Sequence, residues 1–361
     1  MQKINCKEIF VISFFLVCNL FIGFGNSQLI KTASSTALIS TILGFIIGFI
    51  PIYLIIYISK YTTDKNIFEL LEYKFKFVGK IINLILFLSL LLMGIISIWN
   101  IMNFTISQFL SETPYFLVGL IVFLLTTIAA IKGIETIGRT GTVFMPIFII
   151  FTIFVWVSLI PSVETNNILP IMNISKMNFI KSIVMCSTYS TFPLFLLLSI
   201  RQNDIVDKEN FKKAIILSYV LGFLCLYIVG FFILSVFGVN LAKIYTYPEY
   251  SLFKEIRIYG FIEKVENILS IILYIVFLIS DSFETYFNKE FLKNMFKLKK
   301  EKDINITIII FEIITTLLTI FIFIKYQPLY LINKYYLLSI PTLIIFIIIA
   351  FLLGITKKEK A

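Results

Sequence analysis

The chain has 361 residues, 59% of them hydrophobic and 14% charged, with a formal net charge of +10. A soluble domain carries about 25% charged residues, so too little polar surface is present to coat a water-facing globule. The apolar residues fall in long blocks, each near the roughly 20 residues needed to cross a ~30 Å hydrocarbon core. Helices cross that core because they hydrogen-bond their own backbone, and no run alternates as a β-barrel strand would. The expected fold class is an all-α integral membrane protein of about ten transmembrane helices.

The first block, Ile9 to Ile22, resembles a signal-peptide core. It has no small-residue cleavage site and continues through Gly23-Phe24-Gly25, so it reads as a retained first span, 9–30. Asn19 and the stretch Gly23 to Gln28 interrupt it, and glycine weakens a helix. Further spans are expected at 36–58, 81–110, 114–131 and 141–160, with Trp99 and Asn100 in the outer part of the third. The sixth, 179–200, carries Cys186-Ser187-Thr188-Tyr189-Ser190-Thr191-Phe192-Pro193. Pro193 removes a backbone donor and crowds the preceding turn. Spans at 211–237, 265–287, 304–325 and 335–355 complete the set. Before the eighth, Leu252, Phe253, Ile256 and Tyr259 recur at helical spacing, the pattern of an amphipathic outer-surface helix. It would either cap an outer vestibule or lie on lipid headgroups.

Ten spans alternate the loops between two sides. One side then holds 22 of the 31 lysines and arginines and the other nine. Basic loops stay cytoplasmic, so both termini, with the tail 356–361, are expected inside. Topology and anionic lipid account for the positive charge, and nucleic acid is excluded as a partner. Cys6, Cys18, Cys186 and Cys225 have no metal-ligand spacing, and there is no histidine. That removes most zinc sites and Ser/His/Asp triads; no cofactor, metal or enzyme activity is expected.

Five spans per half (1–160 and 161–355) is an odd number, so the second set would insert upside down relative to the first. Transporters built this way bind at discontinuous helices in matching positions. Spans 1 and 6 open their halves, and both are irregular. Their freed amides and carbonyls suit the charged ends of a small zwitterion; the same small and hydroxylated residues also suit close helix packing. Asp281 and Ser282 in span 8, with Glu284, and Glu312 in span 9 are the ionisable or polar groups at depth, which are expensive and often functional. Asp281 and Glu284 lie near the cytoplasmic end of the expected span, where a solvated position serves equally well.

Gly133-Ile134-Glu135-Thr136-Ile137-Gly138-Arg139, with Pro146 after it, resembles the G-x-E-x-x-A-R…P signature of the spore-germination permeases. These are the B-type subunits of nutrient germinant receptors in endospore-forming bacteria. Leu169-Pro170, Phe237-Gly238, Tyr247-Pro248 and Ile262-Glu263-Lys264-Val265-Glu266 follow in the family's order. The chain departs from the pattern at Gly138, at Lys264 and in Thr32 to Thr36, and no proline follows the first break. The resemblance implies the inverted five-plus-five fold of the amino acid–polyamine–organocation transporters with helices 1 and 6 broken. It implies a pocket for a small nutrient, typically an amino acid, near Gly23, Phe24, Gly25 and Ser187, Thr188, Tyr189, Ser190. Trp99 of span 3 and Asp281 and Ser282 of span 8 would close it. It also implies A-type and lipoprotein C-type partner subunits and a place in the inner membrane of the spore. Glu135 and Arg139 are spaced to pair on one helix face, and with Pro193 they are the gating or structural candidates; a secondary transporter of amino acids is the alternative function.

Overall fold

The structure, a computed structural model, describes residues 3–170, 174–256, 266, 267, 270–326 and 329–358, with the side chains of 322–333 and 356–358 left aside. Nine of the described helical stretches are long and apolar enough to cross a membrane. The first, Cys6–Ser59, is 54 residues, which as a straight helix would run about 80 Å, well over twice the hydrocarbon thickness. It is broken twice. Helix α1 (Cys6–Asn19) leads through a π-helical turn at Phe21–Gly25 into α2 (Asn26–Ala33), and Ser34 (φ 53°, ψ −137°) separates α2 from α3 (Ala37–Ser59). This stretch is therefore long enough for two crossings, which makes ten candidate crossings among the described residues.

The remaining elements are α4 (Ile67–Gln108), α5 (Tyr115–Lys132), α6 (Ile134–Leu159), α7 (Lys176–Thr191), α8 (Phe211–Ile244), the short α9 (Pro248–Lys254), α10 (Ile271–Met295), α11 (Glu301–Tyr326) and α12 (Leu329–Lys358). Helix α4 begins 14 residues before the expected span, because Asn66 and Glu69 form a capping box that starts a helix in the polar loop. Lys76 (φ 48°) then bends it where the loop ends. Helix α6 begins at Ile134, so the Glu135–Arg139 segment is its first turns.

The expected basic loops meet at one face. Ile4 N donates to Asp204 O at 2.9 Å, Cys6 N to Asp207 Oδ1 at 2.7 Å and Gln202 N to Thr62 O at 2.8 Å. Lys289 Nζ donates to Ala130 O at 2.6 Å, and Asn294 Nδ2 to Glu72 Oε2 at 3.3 Å. At the opposite face Lys243 Nζ donates to Ser34 Oγ and Ser35 Oγ to Pro170 O. The outward surface between the faces is apolar, with Ile46, Ile121, Ile150 and Phe321 all exposed. A patch of this extent needs lipid or a partner to cover it.

Helices α1 and α7, with the middle of α10, are enclosed. All residues of α1 from Val11 to Asn19, and all those from Met185 to Ser199, are buried. Helix α1, apolar nearly all round, belongs inside, whereas α7 buries a hydroxylated run from Ser187 to Thr191; these are the two that the sequence marks as irregular. At the face where the basic loops meet, Arg201 forks onto Glu69, Nε to Oε2 at 3.2 Å and Nη2 to Oε1 at 2.7 Å, with both side chains about a quarter exposed. Arg201→Met is expected to destabilise by about 1–2 kcal/mol, since partial exposure discounts the penalty of breaking a buried pair. Melting curves of the detergent-solubilised protein check this, and adding Glu69→Leu should return part of the loss.

Candidate functional site

The break in α1 is built from two residues. Ile22 takes an extended conformation (φ −69°, ψ 126°) and Gly23 a left-handed one (φ 94°, ψ −62°). The carbonyl that this frees on Ile22 accepts from Asn100 Nδ2 of α4 at 2.8 Å. Asn100 packs so closely that a Cβ on Gly23 would sit 2.6 Å from its amide. Just past the break, Asn26 Nδ2 donates to Glu249 Oε1 at 2.7 Å and Ser27 Oγ donates to Tyr245 O at 3.0 Å. Helix α9 thus sits on the bundle, with Glu249, Tyr250, Leu252 and Phe253 buried. This favours the capping arrangement over the lipid surface; Tyr259, the last residue of the expected amphipathic pattern, lies outside the described residues. Burial pushes the Glu249 carboxyl up to about 7, and the Asn26 amide and the Gly23 backbone amide pull it partly back.

The second break faces the first. Tyr189 of α7 is fully buried and meets Phe21 and Phe24 edge-on, with ring centroids 6.0 and 5.9 Å apart. Pro193 opens a 3-10 turn, Phe192–Ser199, where α7 gives up its α-helical pattern. The α7 hydroxyls are largely engaged. Ser190 Oγ donates to Cys186 O, Thr191 Oγ1 to Ser187 O, and Thr188 Oγ1 shares a bond of 2.8 Å with Ser339 Oγ of α12. Ser187 is buried as well.

One turn before the first break, three helices share a polar junction. Ser97 Oγ of α4 lies 2.5 Å from Asp281 Oδ1 of α10 and about as far as a normal hydrogen bond, 3.0 Å, from Asn19 Nδ2 of α1. Asp281 Oδ2, Ser280 Oγ and Asn100 Oδ1 have no hydrogen-bond partner. Asp281 and Glu284 are 3% and 5% exposed, so the solvated position does not hold. The reason is that α10 continues to Met295, which leaves both carboxyls in the middle of the helix. Glu312 of α11 is buried too and accepts from Asn288 Nδ2 at 3.0 Å.

Of the residues expected at the pocket, Gly23, Phe24 and Tyr189 come together, and Gly25 closes the same π-helical turn. Asp281 joins through Asn19, with Ser282 beside it and Trp99 beside Asn100, both buried. Glu135 and Arg139 pair at 2.5 Å as their spacing predicts, with Arg139 largely exposed. Sequence reasoning missed Ser97 and Glu249. The available signal for Glu249 was an acid just after Pro248, in the first turn of a short helix whose other side is aromatic. Among the described residues no group of three or more His, Cys, Asp or Glu is arranged to hold a metal ion.

Against this geometry, a family model described as spore germination protein, the spore permeases, matches residues 3–327. The putative spore germination protein YfkT of Bacillus subtilis (strain 168) is 28% identical over 207 residues, 57% of this chain and 56% of the relative. The chain thus matches about half the length of that curated relative. Two solved transporters share the fold. A Na+-coupled sialic acid symporter in a substrate-bound outward-open state superposes with TM-score 0.65 at 12% identity, covering 95% of this chain and 78% of the symporter. MhsT in complex with L-phenylalanine gives TM-score 0.66 at 14% identity, covering 89% and 80%.

Proposed function

Because this chain belongs to the spore germination permease family, we propose that it is the membrane subunit of a nutrient germinant receptor, binding a small nutrient of the amino-acid class between the breaks of α1 and α7. The observation that carries this reading is the juxtaposition of the Gly23 break with Tyr189, at the centre of a transporter fold. Unwound backbone offers amides and carbonyls to the charged ends of a zwitterion, and the aromatic cluster offers a face for its side chain. Ser187, Thr188 and Ser190 on α7, with Trp99, Asp281 and Ser282 around them, are the proposed lining. Binding becomes a signal when the ligand prefers one of two conformations, and A-type and lipoprotein C-type subunits would receive it. The inner membrane of the spore, with both termini in the cytoplasm, is the proposed location.

Thr188→Trp tests the placement. It should abolish the nutrient response of spores while the protein stays inserted at normal abundance, and an unchanged response would reject the site. Thr188 is preferred to Gly25, whose Cβ would meet the Leu20 carbonyl and disturb the turn itself. The shared fold of two transporters supports a second reading, a secondary transporter of amino acids or similar small solutes. Uptake of a labelled amino acid into proteoliposomes holding this chain alone would favour it.

A further inference from the structure

A cavity of about 290 Å³ lies between α4 and α10, and no residue of either break lines it. Most of its wall is apolar. Phe291 of α10 stacks on Phe87 of α4 with ring centroids 3.7 Å apart, and Ile81 and Leu84 of α4 stand beside it, both exposed. Exposed apolar side chains here belong to the surface that lipid covers, so the cavity borders the bilayer. The rest of the wall is charged or polar. Glu72 and Lys80 line it with Lys80 Nζ 3.4 Å from Glu72 Oε1, and both side chains are partly exposed. Asn294 of α10 lines it too and donates Nδ2 to Glu72 Oε2 at 3.3 Å. That bond is one of those joining the basic loops at one face. From there α4 runs past Lys80 into the membrane through Ile81 and Leu84, so the cavity is polar at the membrane boundary and apolar next to it.

A ligand for this cavity has to meet a carboxylate and an ammonium side by side and cover hydrocarbon next to them. A net anion would face Glu72, a net cation would face Lys80, and a water-soluble zwitterion would leave Ile81 and Leu84 uncovered. We infer that the cavity binds a phospholipid whose headgroup carries a primary ammonium as well as its phosphate, the chemistry of phosphatidylethanolamine. The ammonium sits on Glu72, the phosphate on Lys80, and the start of an acyl chain against Leu84 and Phe291. A partly exposed ion pair is weak, so it opens readily to two hydrogen bonds with ionised partners, which are stronger than neutral ones. The volume is at the lower end for a small-ligand pocket, which suits a headgroup and its nearest methylenes and leaves the remaining chain in the bilayer. The site is separate from the nutrient site proposed above and does not depend on it.

The test uses the purified full chain in detergent, with dioleoyl phosphatidylethanolamine, phosphatidylcholine and phosphatidylglycerol added separately at equal mole fraction and read by thermal shift. The ethanolamine lipid should raise the melting temperature saturably and by more than the other two. The choline headgroup has no N–H to donate, and the glycerol headgroup has no cation for Glu72. Glu72→Gln should raise the half-saturating mole fraction of the ethanolamine lipid several-fold and remove its advantage over the choline lipid. Leu84→Trp, which changes only the apolar wall, should weaken the ethanolamine lipid as well and keeps the test open if the Glu72 variant fails to fold. Equal shifts from the ethanolamine and choline lipids would mean lipid packing without headgroup recognition and would overturn the assignment. So would a larger shift from the glycerol lipid, no shift from the ethanolamine lipid, or an undiminished response in either folded variant.

Discussion

Gly23→Val should leave little folded protein, with a loss of stability of about 3–6 kcal/mol. Three effects add. A side chain at φ 94° costs roughly 1–2 kcal/mol in the left-handed region. A Cβ placed 2.6 Å from the Asn100 amide forces that side chain away, an overpacking cost of about 1–3 kcal/mol. Displacing Asn100 also removes its bond to the Ile22 carbonyl, worth about 1 kcal/mol. The contributions separate in the variant Gly23→Val with Asn100→Ala, which relieves the clash and keeps the backbone strain. It should melt above Gly23→Val alone and below Asn100→Ala alone. An unchanged melting temperature for Gly23→Val would mean that the break does not need glycine.

The second large effect lies between α4 and α10. A Cβ added to Gly94 would overlap the carboxyl of Glu284 outright. That carboxyl is buried, and the two helices touch through it. Gly94→Ala should therefore cost about 3 kcal/mol or more, because the acid must leave its place or the helices must part. The cause is space, so Glu284→Gln, of equal size, should not rescue Gly94→Ala, whereas Glu284→Ala should. Expression and melting of the two double variants decide it; rescue by Gln would shift the explanation from packing to charge.

The crossing segments are legible in the sequence because hydropathy is a local property that survives any tertiary arrangement. The same is true of the basic loops, whose common side reappears as the face joined by Ile4, Thr62, Ala130, Asp204 and Glu72. Both breaks are visible too, one as Gly23-Phe24-Gly25 and the other as Pro193. The start of α4 was also readable, in the Asn66…Glu69 spacing of a capping box. The contacts that build the site are a different matter. Asn26 and Glu249 are 223 residues apart, and Ser97 and Asp281 are 184 apart; no local pattern links such pairs. The sequence leaves Asp281 open between a buried and a solvated position, and only the packing of α1 and α4 around it, through Asn19 and Ser97, decides for the buried one. In the fold α10 runs on to Met295, and Lys289 donates to Ala130 O while Lys293 lies 3.6 Å from Glu290.

The Gly23 break and Tyr189 carry the central claim, that a small nutrient binds between α1 and α7. The most direct measurement is a thermal-shift screen of the purified chain against the common amino acids, run in parallel on wild type and on Thr188→Trp. At least one amino acid should raise the wild-type melting temperature saturably, and Thr188→Trp, if it melts cooperatively without ligand, should lose that response. No response to any amino acid in wild type, or an equal response in the variant, would contradict the account.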